Sequence, residues 1–233
     1  MIVDRDGLKR AAALRAIEEV EDGMVLGLGT GSTAAFVVEG LAARVKSGLK
    51  IVGVPSSERT AAQARRLGVP IATFAEHQKL DMTIDGADEV ELGTLHLIKG
   101  LGGALLREKI VAAASRRLVI VVDQEKLVEQ LGEHTPVPVE VTRFGWQVTA
   151  AALAALGCVP ERRYTAEQPF VTDEGHFILD CRFGPIANPA ALEQRVAMTV
   201  GTVENGLFVG RSSMVVVASA AGVEVLTPPP RKP

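Results

Sequence analysis

Between residues 24 and 122 the chain alternates short apolar runs with helix-period segments joined by glycine-rich turns, and no other feature restricts its fold so strongly. Residues 24–28 read as a strand, and Gly29-Thr30-Gly31-Ser32-Thr33 opens an Ala- and Val-rich helix that runs to Lys46. Strand 50–54, helix 56–67 and a short strand at 69–73 repeat the unit. Strands 81–84 and 95–98, a helix over 104–115 and strand 117–122 complete the series. Alternation of this kind demands βαβ crossovers and a parallel sheet with helices on its faces. Composition agrees: 47% of residues are hydrophobic but only 4% aromatic, so the core must be built from Ala, Val, Leu and Ile. A helix over residues 5–21 precedes the series, with Leu8, Ala11, Ala12, Ile17 and Val20 at helical spacing before Asp22-Gly23 stops it.

From Pro136 the pattern changes. A short strand, an Ala-rich helix over 145–156, a hairpin over 164–183 turning at Asp173-Glu174-Gly175, a helix over 189–198 and a strand over 202–209 form a βαββα-like series. The expected fold class is therefore α/β: a Rossmann-like, mostly parallel sheet domain and a second, smaller α+β domain. Strands at 213–218 and 223–226 are expected to return to the first domain, before the prolines at 228–230 end regular structure. This divides the chain into 1–130 plus 206–233 and 131–205.

With 25 Lys and Arg against 28 Asp and Glu, the net charge of -3 provides no basic footprint for nucleic acid or for an acidic membrane surface. A small-molecule ligand is the simpler expectation. Cys158 and Cys181 lack ligand spacing and read as buried thiols of a reducing compartment. No apolar run reaches 18 residues, and residues 1–6 lack a secretory pattern, so a cytoplasmic location is expected. The surplus of small aliphatic residues suggests a homo-oligomer.

Gly27-Leu28-Gly29-Thr30-Gly31-Ser32 occupies the place of a dinucleotide fingerprint, but Ser32 replaces its third glycine. The second strand ends in Val54-Pro55-Ser56 rather than in an acid that could hold ribose hydroxyls. No lysine completes a P-loop. The turn suits a single phosphate through its amides and the hydroxyls of Thr30, Ser32 and Thr33, or else it is only a capped helix start.

Asp85-Gly86-Ala87-Asp88-Glu89 follows a strand, on the edge where open α/β sheets gather ligand-binding groups, although taken alone it reads more readily as a solvated turn. Lys99-Gly100-Leu101-Gly102-Gly103 carries three glycines in four positions, an entropic cost that implies close approach to the backbone. In the helix that follows, Leu105, Leu106 and Ile110 are expected to form the buried stripe, with Glu108 near the first turn. A carboxylate, a cation and paired acids suffice for aldose-ketose isomerisation through an enediolate, without a cofactor. His77, His96, His134 and His176 are scattered, so no metal site is expected.

GLGTGST at 27–33, DGADE at 85–89 and KGLGGALLREK at 99–109 together resemble the A-type ribose-5-phosphate isomerase family. The resemblance extends to Leu8-Lys9, Ser56-Ser57, Asp123 to Lys126, the PVPVEV run at 136–141 and Gly206-Leu207-Phe208. It implies that Thr30, Gly31, Ser32, Thr33, Asp85, Gly86, Ala87, Asp88, Lys99, Gly100, Leu101 and Gly102 line the substrate site. It further implies that Lys126 and Lys9 reach the phosphate, that Glu108 carries the proton, that Lys99 stabilises the enediolate, and that Asp85 and Asp88 serve the hydroxyls. A ferredoxin-like second domain and assembly as dimers or tetramers are implied too. Leu101 stands where some relatives carry Gly, and Gln124-Glu125 precede Lys126 where Ser or Thr is common. Two other readings compete: another sugar-phosphate enzyme such as an amino-sugar phosphate deaminase or a lactonase, and a sugar-phosphate sensor without turnover. The pairing of DGADE with the Lys99 to Glu108 segment favours the isomerase, and a sensor has no need of Glu108.

Overall fold

A computed structural model describes residues 4–229, so Met1 to Val3 of the expected leaderless start and Pro230 of the expected proline end lie outside the described residues. The first part of the chain runs α1 (Arg5–Ile17), β1 (Val25–Leu28), α2 (Ser32–Lys46), β2 (Val52–Pro55), α3 (Glu58–Leu67) and β3 (Leu80–Asp85). Next come β4 (Glu89–Glu91), β5 (Leu97–Ile98), α4 (Leu105–Ala113), β6 (Ser115–Asp123), a 3-10 turn (Gln124–Lys126) and β7 (Leu127–Val128). Then follow β8 (Val137–Val141), α5 (Trp146–Ala154), β9 (Val159–Arg162), β10 (Tyr164–Thr165), β11 (Gln168–Pro169) and β12 (Phe177–Arg182). The last elements are α6 (Pro189–Ala197), β13 (Thr202–Asn205), β14 (Leu207–Phe208), β15 (Met214–Ser219) and β16 (Gly222–Leu226).

These elements form two compact units, Met1–Ala87 with Arg107–Lys126 and Arg211–Pro233, and Asp88–Leu106 with Leu127–Gly210. The first contains a six-stranded sheet in the order β16-β15-β6-β3-β1-β2, parallel throughout except for the antiparallel edge strand β16. Local chemistry starts and stops its helices. Asp4 caps α1 by accepting from the Gly7 amide at 3.0 Å, and Ser57 caps α3 by accepting from Thr60 at 3.1 Å. Gly68 closes α3 in the left-handed conformation, with φ of 79°. The apolar faces of α1 (Ala12, Ala13, Ala16, Ile17) and α2 (Val37, Val38, Leu41) pack in one core with Leu26, Leu28, Met82, Ile84, Val119 and Val216 of the strands. Val111 of α4 packs in a separate cluster with Val54 and Leu80, so the sheet carries apolar helix contacts beyond the α1/α2 core.

The second unit holds two four-stranded sheets and the small β10-β11 hairpin. One sheet has the order β13-β8-β12-β9, all antiparallel, with α5 after its first strand in the chain and α6 after its third. Taken in chain order this is 4-1-3-2, the ferredoxin-like arrangement. The other sheet, β14-β5-β4-β7, shares its core: Ile98 and Leu207 pack with Val137, Val139, Leu153, Leu179 and Val196.

Several local expectations change. Residues 69–73 form no strand in the large sheet and contribute only a bridge from Ile71 to Gly53. The strand expected at 95–98 shortens to β5, which pairs with β4 and β14. The division expected from sequence placed 88–106 with the first domain, whereas the compact units group it with the second, because Ile98 is buried in that unit's core. In the 164–183 segment, β10 pairs with β11, while β12 crosses back to β9 and β8. Residues 202–209 break at Gly206, which sends β13 and β14 into different sheets.

Candidate functional site

In the first unit the strand order reverses at β1/β3: from β1 the chain crosses to β2 on one side, and β3 returns on the other. Such a switch point opens a crevice at the C-terminal ends of the two strands. The glycine turn after β1 and the acidic turn after β3 both leave from there. They are hydrogen-bonded together: Asp85 Oδ1 accepts from the Thr30 amide at 3.0 Å and from the Gly86 amide at 2.8 Å. Gly29 permits this approach, since a Cβ there would stand 2.2 Å from Asp85 Oδ1 and 2.6 Å from its Cα. Asp85 is 1% exposed.

Gly31 (φ 118°) caps α2 without a side chain, leaving exposed Ser32 and half-buried Thr33 in the first turn of a 15-residue helix. Helix amides and dipole there favour an anion. The Thr30 hydroxyl turns elsewhere. It lies 2.8 Å from both Ser56 Oγ and Ser57 Oγ and 3.3 Å from Thr60 Oγ1, and Thr60 Oγ1 donates to the Gly29 carbonyl at 2.9 Å. All four hydroxyl residues are buried. Thr30 thus offers its main chain to the switch point and spends its side chain on anchoring the turn.

The half-buried Lys126 ends the 3-10 turn after β6, and Asp123 at the end of β6 accepts from the Glu125 amide at 3.1 Å. Glu125 forms an ion pair with Arg5 at 2.8 Å, so its carboxylate has a partner other than its neighbour Lys126. Lys9 is half-buried in α1, 3.5 Å from Asp6.

Glu108 lies in the first turn of α4 and is only 4% exposed. The expected stripe of Leu105, Leu106 and Ile110 is rotated. Leu105, Glu108, Lys109, Val111 and Ala112 are buried, Leu106 is half-buried and Ile110 is 47% exposed. The rotation follows from Val111 packing against Val54 and Leu80, which sets the face that α4 turns inward and puts Glu108 on it.

The second unit holds Asp88 and the Lys99 loop. Asp88 donates its amide to the Ile98 carbonyl at 2.8 Å, and its Oδ2 accepts from the Leu101 amide at 2.9 Å. The Lys99 amide donates to the Gly206 carbonyl at 2.9 Å, and its ammonium stands 5.4 Å from the Phe208 ring centroid, with Lys99 2% exposed. Gly100 has φ of 107°, and a Cβ there would stand 2.6 Å from Leu105 Cβ. Close approach to this glycine backbone is therefore made by the protein itself. Leu101 and Gly102 are exposed.

Sequence reasoning missed several groups. Arg163 donates to the carbonyls of Gly100 at 2.9 Å and Leu101 at 3.0 Å, although it lies more than sixty residues away and its segment carries no motif. Glu89, the last residue of DGADE, is buried in β4, and its carboxylate accepts from the amides of Gly132, His134 and Thr135 at 2.6, 2.7 and 2.7 Å. It ties down the 132–135 loop. Cys158 and Cys181, by contrast, are the buried free thiols expected from the sequence. Burial pushes the Glu140 carboxyl above the usual carboxylate range, against the hydrogen bonds from His176 Nδ1 (2.9 Å) and Thr172. Among the described residues no cluster of three or more His, Cys, Asp or Glu could hold a metal ion, and no helix is long and apolar enough to cross a membrane.

The family model for ribose 5-phosphate isomerase A (phosphoriboisomerase A) matches residues 52–222. Curated relatives named ribose-5-phosphate isomerase A include one from Gloeobacter violaceus, 64% identical over 226 residues (97% of this chain, 98% of the relative). Another, from a Synechococcus strain, is 57% identical over 223 residues (95% of this chain, 97% of the relative). Among solved structures, ribose 5-phosphate isomerase A from Methanocaldococcus jannaschii superposes with a TM-score of 0.91 at 39% identity, covering 95% of this chain and 99% of that one. A D-ribose-5-phosphate isomerase in complex with phospho-erythronic acid gives 0.93 at 36% identity, covering 97% and 100%. With most of its length matched and its switch-point turns in place, the chain belongs to the ribose 5-phosphate isomerase A family.

Proposed function

We propose that this protein interconverts D-ribose 5-phosphate and D-ribulose 5-phosphate, an aldose-ketose isomerisation of the non-oxidative pentose phosphate pathway. Family membership supports the reaction, and the hydrogen bond from the Thr30 amide to Asp85 carries the assignment of residues, since it joins an anion-binding turn to an acid at the switch point.

In this reading the phosphate rests on the α2 N-terminus, on the amides of Gly31 to Thr33 and the hydroxyls of Ser32 and Thr33, with Lys126 and Lys9 adding positive charge. Glu108 takes the proton from C2 of the open-chain aldose, and the electron pair of that C–H bond moves to make the enediolate, placing negative charge on O1. Lys99 and the loop amides stabilise that charge. The proton on O2 passes to O1, with Asp85 and Asp88 serving the hydroxyls, while Glu108 returns its proton to C1. Protons and electrons balance with no cofactor.

The proposal extends to a homo-oligomer, dimer or tetramer, in the cytoplasm. Exposed Phe144, Val148, Met198 and Val200 support the first and the two unpaired thiols the second. The test is a ribose 5-phosphate assay in the presence of a chelator. Wild-type protein is expected to form the ketose, and Glu108→Gln to lower kcat by about a thousandfold while KM moves far less. Full turnover in the variant would sink the role of Glu108.

A further inference from the structure

One peptide group in the Lys99 loop is held at both ends by side chains of opposite charge. The Leu101 amide donates to Asp88 Oδ2, and the Gly100 carbonyl of the same peptide accepts from Arg163 Nη1. The same nitrogen also donates to the Leu101 carbonyl, so two successive peptide planes are fixed. The rest of the guanidinium is engaged by one partner: Nε donates to Asp180 Oδ2 at 2.9 Å and Nη2 to Oδ1 in a short contact. Arg163 and Asp180 side chains are only 13% and 20% exposed, where such a fork is strong and rigid. Asp180 itself is set in β12, paired to both β8 and β9.

The consequence lies in the geometry of the peptide bond. The described chain contains no cis peptides. In a planar trans peptide the N–H points opposite to the C=O. Fixing the Leu101 carbonyl on Arg163 therefore aims the Gly102 amide away from Arg163. We infer that Arg163 is a positioning residue for the isomerisation: held by Asp180, it orients the Gly100–Gly102 backbone so that the Gly102 amide serves as a donor to the developing enediolate oxygen. This rests on the isomerase reading and on the assignment of the Lys99 loop to the substrate. Lysine has no planar fork to engage both Asp180 oxygens and two carbonyls at once.

The experiment compares wild type, Arg163→Lys and Asp180→Asn in steady-state kinetics with ribose 5-phosphate, in inhibition by inorganic phosphate and in thermal melting. Both variants are expected to lose about 100-fold in kcat, the penalty of a misplaced donor, while inhibition by inorganic phosphate, assigned to the first unit, changes less than about twofold. In Arg163→Ala, added methylguanidinium should restore part of the lost turnover. Near-wild-type kcat in both variants would overturn the inference, as would a parallel loss of phosphate inhibition or failure of both variants to fold at the assay temperature. If Arg163→Lys alone melts, Asp180→Asn, which keeps the arginine, decides the matter. Active wild-type protein with unaffected variants removes this inference alone, whereas inactive wild-type protein removes the isomerase reading and this inference with it.

Discussion

Asp85 and Asp88 stand three residues apart in one motif, yet each anchors a glycine turn in a different unit. Asp85 accepts from Thr30 in the first unit, and Asp88 accepts from Leu101 in the second. The two turns are secured by different means. The first is a local product of the βα crossover: Gly29 lets β3 come close, the helix start presents its amides, and a buried hydroxyl cluster from the next βα turn locks Thr30. The second depends on distant groups, Arg163 at the carbonyls, Gly206 at Lys99 and Phe170, whose ring atom would stand 2.3 Å from a Cβ at Gly103. A glycine turn can thus be secured by local topology or by groups distant along the chain.

The sharpest way to break this comparison is Gly29→Ala. If the first turn depends on close packing of β1 against Asp85, the added methyl should cost up to about 3 kcal/mol and lower the melting temperature, with turnover falling too. An unaltered melting curve with full activity would show that the turn tolerates a wider gap.

Glu89→Gln probes the second unit, where one carboxylate holds three amides of the 132–135 loop. The amide replacement keeps one acceptor and sets an N–H₂ group against a backbone N–H, so urea unfolding should report a loss of about 2 kcal/mol. Catalysis below the transition should change little, since the Glu89 carboxylate accepts its hydrogen bonds from amides of that loop. A selective loss of kcat would instead make Glu89 part of the reaction.

The smallest effect concerns pH. Burial raises the Glu140 carboxyl in the folded state, so its contribution to stability is present below the unfolded value near about 4.3 and is lost as pH rises through the raised folded value. Melting temperatures of wild type relative to Glu140→Gln should therefore fall as pH increases from about 4 toward neutrality. His176, Thr172 and Glu174 face this group, and the first two hold the carboxylate against the trend. A flat difference between the two proteins would mean that those hydrogen bonds cancel the desolvation.

The first unit was largely legible in the sequence because its signals are local. Period-2 and period-3.6 patterns placed β1, α2, β2, α3, β3 and β6, and the glycine turn could be separated from a dinucleotide site by Ser32 and the missing acid after β2. Reading failed where pairing partners are remote. Residues 95–98 have the composition of a strand, but only their fit beside β4 and β14 decides which sheet they join. Ile110 was read as buried because apolar residues are usually turned inward. The packing of Val111 turned α4 differently, and no helical period within nine residues resolves a rotation of one position.

By itself the sequence determined the βαβ framework, the family and the residue types able to move a proton between two carbons, since these follow from short-range periodicity and from motifs that keep their spacing along the chain. Only the tertiary structure decided that Asp85 and Asp88 belong to different units, that the Thr30 hydroxyl is used internally, that Glu89 binds a loop and that Arg163 holds the Gly100 and Leu101 carbonyls. The physical reason is that hydrogen-bond partners are chosen by distance in space. Donor and acceptor separated by more than sixty residues leave no trace in the order of the chain until strands β9 and β12 have been aligned.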